Sequence, residues 1–386
     1  MPPKNAPRFL DYRQQKLPLD VALTFRLPPT VDDSSNARDL ILSGRVLVNN
    51  ITERSCHRLV DRLDDTISVI PKDDASAVVP IPFIVKPKYF ICYKPRGVVC
   101  SRRRNEGIDR EDSVLISDWL AQVFQAAAEN SITGANDNNH ETIKTVGRLD
   151  EESEGMLLLT NDGSFSRLLC DPEFGLTKTY RVVVRGSGYD RLMTEVIAGQ
   201  SDIQNNEDCV TNENVFAHNN ELMTKRVSER IESANDTPTV TTDINGKQTI
   251  HHFPFEQCNV LDVGKLPSQH TSDGSYYALI DLVLREGKRH AVRRICKNAQ
   301  LRVCYLSRIS VEGLDGQYGI VKPESIAEAQ RNGFIPGGRH RDVVLNGKLI
   351  SRSDHDNNSM TLLHSGHVVE LSDCDVDRIF ALRTQH

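Results

Sequence analysis

Residues 147–163 read Gly-Arg-Leu-Asp-Glu-Glu-Ser-Glu-Gly-Met-Leu-Leu-Leu-Thr-Asn-Asp-Gly, and the run Met156 to Thr160 inside them leaves little choice of surroundings. Bounded by Gly155 and by the turn signal Asn161-Asp162-Gly163, it predicts a core strand leading into a turn. Asp150 then stands on a short loop just ahead of that strand, with Arg148 two positions earlier. A carboxylate held rigidly there, and kept ionised by a nearby cation, has what an aspartate nucleophile needs. An isolated acidic loop is more often plain surface, so the rest of the chain has to decide.

The chain has 386 residues, enough for two to three domains and a sizeable core. With 38% apolar and 26% charged residues it reads as a soluble globular protein carrying some polar segments. No run approaches the roughly 18 apolar residues of a membrane helix. Lys4, Arg8, Arg13 and Lys16 are followed by no apolar signal-peptide core, which argues against secretion. The expectation is an intracellular monomer without membrane contact, in the cytoplasm or in an organelle such as the mitochondrion. Nine scattered cysteines include no matched Cys-x-x-Cys pairs, so reduced thiols are expected, with no metal and no cofactor. A net charge of −6 does not advertise a nucleic-acid binder, but its distribution is uneven.

Residues 16–70 form a first small unit. Ala37 to Leu42 has helical spacing ended by Ser43-Gly44; Arg45 to Asn50 alternates like a strand and closes at an Asn-Asn turn; Asp64 to Val69 supplies another strand. The order of these pieces resembles a small RNA-binding module named after a ribosomal small-subunit protein, which implies an RNA-facing Arg45. Residues 71–88, punctuated by Pro71, Pro80, Pro82 and Pro87, read as a linker. From Tyr89 to the end, strand signals recur at 156–160, 178–184, 278–284 and 301–311, with helical stretches at 164–170, 189–198 and 289–299. This mixed order predicts an α+β domain on an antiparallel sheet, with the small α/β module before it. Polar stretches at 121–142, 201–275 and 322–365 look unable to fold alone and read as loops or disordered inserts. Near the end, Ser372 with Asp375 three residues on is a helix-start signal.

Arg285, Lys288, Arg289, His290, Arg293, Arg294, Lys297 and Arg302 make a basic cluster with Glu286 as its lone acid. On a helix, Arg289 shares a face with Arg293, and His290 with Arg294. Such a helix after a core strand suits phosphate contacts and pairing with a buried carboxylate. Tyr180, in Lys178-Thr179-Tyr180 at a strand start, is either an ordinary strand aromatic or a stacking platform for an unstacked base.

Five phrases stand in order: Lys94-Pro95-Arg96-Gly97, Gly147 to Gly163, Lys178-Thr179-Tyr180, Glu286 to Arg294, and Leu306-Ser307-Arg308-Ile309. Together they resemble the ribosomal RNA pseudouridine synthase family, in the branch with an N-terminal RNA-binding module. The resemblance implies Asp150 as nucleophile, Arg148 holding a flipped-out nucleotide, Tyr180 stacked on the target uracil and Leu306 walling the pocket. It further implies Arg293 paired with Asp150, and Lys288, His290 and Arg294 on the RNA. Ala291 departs from the usual Gln or Glu of the basic phrase. Two other classes compete. A magnesium phosphodiesterase using Asp150, Glu151, Glu152 and Glu154 fails because adjacent carboxylates on one loop cannot all converge on one ion, and the three glutamates read better as solvated neighbours. A non-catalytic RNA-binding or ribosome-assembly factor of the same fold is the other alternative.

Overall fold

The structure, a computed structural model, describes residues 16–23, 36–61, 64–72, 77–81, 87–101, 114–129, 143–170, 176–186, 212–235, 237–242, 248–266, 275–285, 287–288, 290–335, 347–350 and 360–382. The helix expected over 189–198, together with Glu286 and Arg289, lies outside these residues. The chain divides into two compact units, one of residues 1–89, 142–146 and 159–169, the other of 90–141, 147–158 and 170–386. No helix among the described residues is long and apolar enough to cross a membrane.

The first unit opens with β1 (Lys16–Pro18), α1 (Leu19–Leu23), α2 (Ala37–Leu42), β2 (Val46–Val48), β3 (Ile51–Glu53), β4 (Leu59–Asp61), β5 (Ile67–Val69) and β6 (Val79–Ile81). Asn36 caps α2 by accepting the Asp39 N–H at 2.9 Å. Asn49 and Asn50 both take positive φ, 53° and 66°, and join β2 to β3 in a two-residue hairpin, for which asparagine suits both places. Leu40, Ile41, Val46, Val48, Val60, Ile67 and Val69 share one core. The stretch read as a linker is not bare, since β6 pairs with β5 at the edge of the sheet β3-β2-β5-β6. Pro80 does not forbid this, because an edge strand can spare a donor. Arg45 is half-buried, and its Nε donates to the Ile70 carbonyl at 2.8 Å. Its guanidinium is thus engaged with the module's own backbone.

The following elements are β7 (Tyr89–Lys94), β8 (Val98–Val99), β9 (Val114–Leu115), α3 (Ile116–Glu129), β10 (Lys144–Val146), β11 (Glu154–Thr160), α4 (Gly163–Cys170) and β12 (Lys178–Gly186). Next come α5 (Asn212–Asn235), β13 (Thr239–Thr242), β14 (Gln248–His251), β15 (Gln257–Leu266), β16 (Ser275–Leu284), α6 (Ala291–Asn298) and β17 (Leu301–Val311). The last are β18 (Tyr318–Ile320), α7 (Ile326–Arg331), β19 (Lys348–Ile350), β20 (Thr361–Leu363), β21 (His367–Glu370) and α8 (Asp373–Leu382). The main sheet runs β15-β16-β12-β17-β11-β7-β21-β19. Its pairs β15·β16, β16·β12, β12·β17 and β21·β7 are antiparallel, while β11·β17 and β19·β21 are parallel. The protein is α+β.

All three polar stretches contain ordered elements. In 201–275, α5 buries Met223, Val227, Ile231 and Ala234, a stripe spaced at four, four and three positions on an otherwise polar helix. The same stretch supplies β15 to the main sheet and the hairpin β13–β14. In 121–142, the first residues belong to α3, with Val123 and Phe124 buried beside Trp119 and Leu120. In 322–365, α7 buries Ile326 and Ala329, and β19 joins β21. Mean polarity concealed each narrow apolar face. The helix start at Ser372 stands: Ser372 Oγ accepts the Asp375 N–H at 3.2 Å, and Asp375 Oδ2 accepts the Ser372 N–H at 3.0 Å.

Candidate active site

The loop 147–153 is fixed from several sides within the second unit. Gly147 turns at φ 69°, and Ser153 N–H donates to the Asp150 carbonyl at 3.0 Å. The Leu149 N–H lies 3.4 Å from Cys100 Sγ, and the Gly97 N–H donates to the Glu151 carbonyl at 2.9 Å. The loop is therefore stitched to the turn after β7. Lys94 holds that turn from inside. Its ammonium is fully buried and donates to the carbonyls of Pro95 and Val98, both at 2.8 Å. Burial pushes it down to about 8, against the pull of Cys100 and Glu154.

Where the loop enters β11, Glu154 is 3% exposed and accepts the hydroxyls of Tyr93 and Tyr305, the second at 3.1 Å. The expectation of a solvated neighbour is wrong for this residue: two phenols from β7 and β17 supply the partners that make its burial tolerable. Glu152 is exposed and pairs with Arg96 at 3.0 Å. Gly155 stands at φ 113°, and a Cβ there would lie 2.3 Å from the Arg308 carbonyl oxygen. That close approach lets β11 lie parallel against β17, with Glu154 opposite Ser307 and Gly155 opposite Arg308. Arg308 then donates through Nε to the Met156 carbonyl at 2.6 Å.

Asp150 is placed on this frame. Its Oδ1 lies 3.4 Å from His290 Nε2 and its Oδ2 lies 3.7 Å from Arg293 Nε. The Arg293 Nη2 also reaches the Glu152 carbonyl at 3.3 Å and Ser153 Oγ at 3.4 Å. The Asp150 and Arg293 side chains are 21% and 31% exposed, so solvent reaches both. Half-open pairs of this kind add about 0–1 kcal/mol to stability, so their effect is to orient the carboxylate. His290 sits before α6 in the left-handed region, φ 59° and ψ 23°, an uncommon conformation outside glycine. The pairing of Asp150 with Arg293 appears as expected. His290, for which an RNA contact was expected, also stands beside the carboxylate. His290 and Arg293 reach Asp150 from this distant helix start, whereas Arg148 is exposed.

Leu306 is buried in an apolar cluster with Val182, Leu282 and Val292, and Tyr180 packs half-buried against the same cluster. The β12·β17 register shifts between Thr179 and Tyr180. Lys288 is exposed with Nζ 3.1 Å from the His252 carbonyl, and the Arg294 guanidinium lies 5.0 Å from the centre of the Phe253 ring. Sequence reasoning missed Tyr93 and Tyr305, and read Lys94 only within a phrase and Glu154 only as a solvated neighbour. The one available signal was Lys94 itself, a lysine at the end of the strand Tyr-Phe-Ile-Cys-Tyr-Lys.

The family profile described as RNA pseudouridylate synthase matches residues 88–298. The ribosomal large subunit pseudouridine synthase B of Bacillus subtilis (strain 168) is 31% identical over 114 residues, 30% of this chain and 38% of that protein. The putative ribosomal large subunit pseudouridine synthase SVR1, chloroplastic, of Arabidopsis thaliana is 26% identical over 304 residues, 76% of this chain and 55% of that protein. The chain thus spans less than two thirds of either relative. Among solved structures, a crystal structure of pseudouridylate synthase matches at 17% identity and TM-score 0.32, over 71% of this chain and 81% of that one.

Proposed function

Because the chain belongs to the RNA pseudouridylate synthase family, we propose that it isomerises a uridine of structured RNA to pseudouridine, with Asp150 as the reacting carboxylate. The observation that carries this reading is Asp150 held between His290 Nε2 and Arg293 Nε while staying 21% exposed. The isomerisation breaks the bond from the sugar to the base nitrogen, turns the base and joins the sugar to carbon 5. The proton on carbon 5 leaves and the freed nitrogen gains one, so no electrons are exchanged with an outside acceptor. An oriented carboxylate, an enclosed pocket and a base taken out of its stack suffice.

In this reading Arg293 fixes the direction in which Asp150 points. Tyr180 stacks on the flipped uracil and Leu306 walls the pocket, consistent with their packing on one cluster. Exposed Arg148 holds the extruded nucleotide, and exposed Lys288 reaches its phosphates. Ribosomal RNA is the substrate class we assign, on the names of the relatives. Residues 16–70 act as a separate RNA-binding module.

Transcriptome-wide pseudouridine mapping, with and without the protein and with Asp150→Asn, tests the reading. We expect a defined ribosomal RNA site to vanish in the variant while RNA binding persists. If no site disappears although RNA is still bound, the protein is a non-catalytic RNA-binding factor.

A further inference from the structure

The basic segment that delivers His290 and Arg293 to Asp150 is tied along its length to one stretch of the polar insert. Arg285 Nε lies 3.2 Å from Glu256 Oε1, and Lys288 Nζ lies 3.1 Å from the His252 carbonyl. The Arg294 guanidinium stands over the Phe253 ring at 5.0 Å. Asn298 Nδ2 reaches the Thr237 carbonyl at 3.1 Å and Thr239 Oγ1 at 3.2 Å. On its apolar side, α6 shares a core with α5, through Val292, Ile295 and Cys296 together with Met223, Val227 and Ile231. The insert therefore holds α6 by both its polar and its apolar side chains.

We propose that residues 212–235, 237–242 and 248–256 form the scaffold of α6, and that Phe253 is a positioning residue acting on Asp150 through Arg294. Phe253 is 5% exposed and belongs to the same core, so its ring is a fixed platform. The Arg294 N–H donates to the His290 carbonyl at 2.9 Å, and Arg293 is its chain neighbour. Fixing Arg294 on the ring consequently fixes the helix turn whose side chains flank the carboxylate. A misplacement of about 1 Å in such a turn costs up to about 100-fold in rate. Arg294 works here inside the protein, not on an RNA phosphate.

The inference rests on Asp150 being the reacting carboxylate, and the two fail differently. If Asp150→Asn keeps its turnover, that assignment falls, whatever Phe253 does. The experiment uses the full chain and ribosomal RNA prepared from cells lacking the protein. It measures single-turnover pseudouridine formation together with RNA affinity over a salt series. Phe253→Leu and Arg294→Gln should each slow turnover about tenfold, in the range of a desolvated cation–π contact. The double variant should be no slower than either single one. Arg294→Lys, which keeps a cation over the ring, should recover most of the rate. RNA affinity and its salt slope should stay unchanged throughout. The proposal is overturned if Arg294→Gln lowers the salt slope by about one, if the two losses multiply, or if neither variant slows turnover. Should Phe253→Leu fail to fold, Arg294→Gln leaves the ring in place and decides the matter alone.

Discussion

Tyr305 donates its hydroxyl to Glu154 Oε1 at 3.1 Å, and Tyr93 donates to the same oxygen from β7. Three strands of the sheet thereby meet at one buried carboxyl group, four positions beyond Asp150. Glu154→Ala would leave two buried hydroxyls without this acceptor, at a cost of about 2–4 kcal/mol. Glu154→Gln keeps an accepting oxygen and should lose clearly less. Urea unfolding of the three proteins checks the order; an alanine variant as stable as the parent would contradict it.

Gly155→Ala should be among the most damaging single methyl additions to this chain. The new Cβ would lie 2.3 Å from the Arg308 carbonyl oxygen and 2.7 Å from its nitrogen, and both are backbone atoms that cannot swing aside. The φ of 113° adds strain for any L side chain. A loss of about 3 kcal/mol or more is expected, visible as a lowered thermal midpoint or as insoluble protein.

Lys94 predicts a pH signature. Burial holds its ammonium down to about 8, against 10.5 for a free lysine. Between those values the unfolded chain binds the proton that the folded chain has lost, so stability rises with pH through this window. The gain is lost again as pH falls back to about 8, below which the contribution is flat. The contribution has a ceiling of about 3 kcal/mol. Lys94→Met removes it. The stability difference between parent and variant should be flat below pH ~8 and shift in favour of the parent toward pH ~10. Denaturant midpoints for both proteins at three pH values measure this, and parallel curves would refute it.

Arg293→Ala should reduce turnover about 100-fold, within the range for loss of one preorganised electrostatic contact, while RNA affinity changes less than about threefold. Arg293→Lys should fall between, because a lysine cannot reach both Asp150 and the Glu152 carbonyl with a fork of donors. Equal losses of turnover and affinity would move Arg293 from the carboxylate to the RNA.

Much of the fold was legible because its signals are local. Leu301–Val311 carries a strand signal and forms one strand over that range, Ala37–Leu42 is a capped helix, Asn49-Asn50 is the hairpin turn, and Ser372 with Asp375 caps α8. The pairing of Asp150 with Arg293 was legible through family phrases rather than through physics. What stayed hidden depends on partners far along the chain. Glu154 looks like one acid among four until Tyr305 is placed beside it, 151 positions away. Arg45 looks like a surface cation until Ile70 takes its Nε. The helix α5 looks polar because its buried stripe is only one residue wide per turn.

The strand order carries a consequence for synthesis. β21, near residue 370, is hydrogen-bonded beside β7, which begins at residue 89, with Val368 opposite Cys92. A nascent chain that has already released Asp150, His290 and Arg293 from the ribosome still lacks the neighbour that completes β7. Long separations of this kind slow folding, because loop closure precedes the contacts that reward it. The N-terminal module closes its own sheet within residues 46–81. It can therefore form first and be in place while the remainder is still being translated.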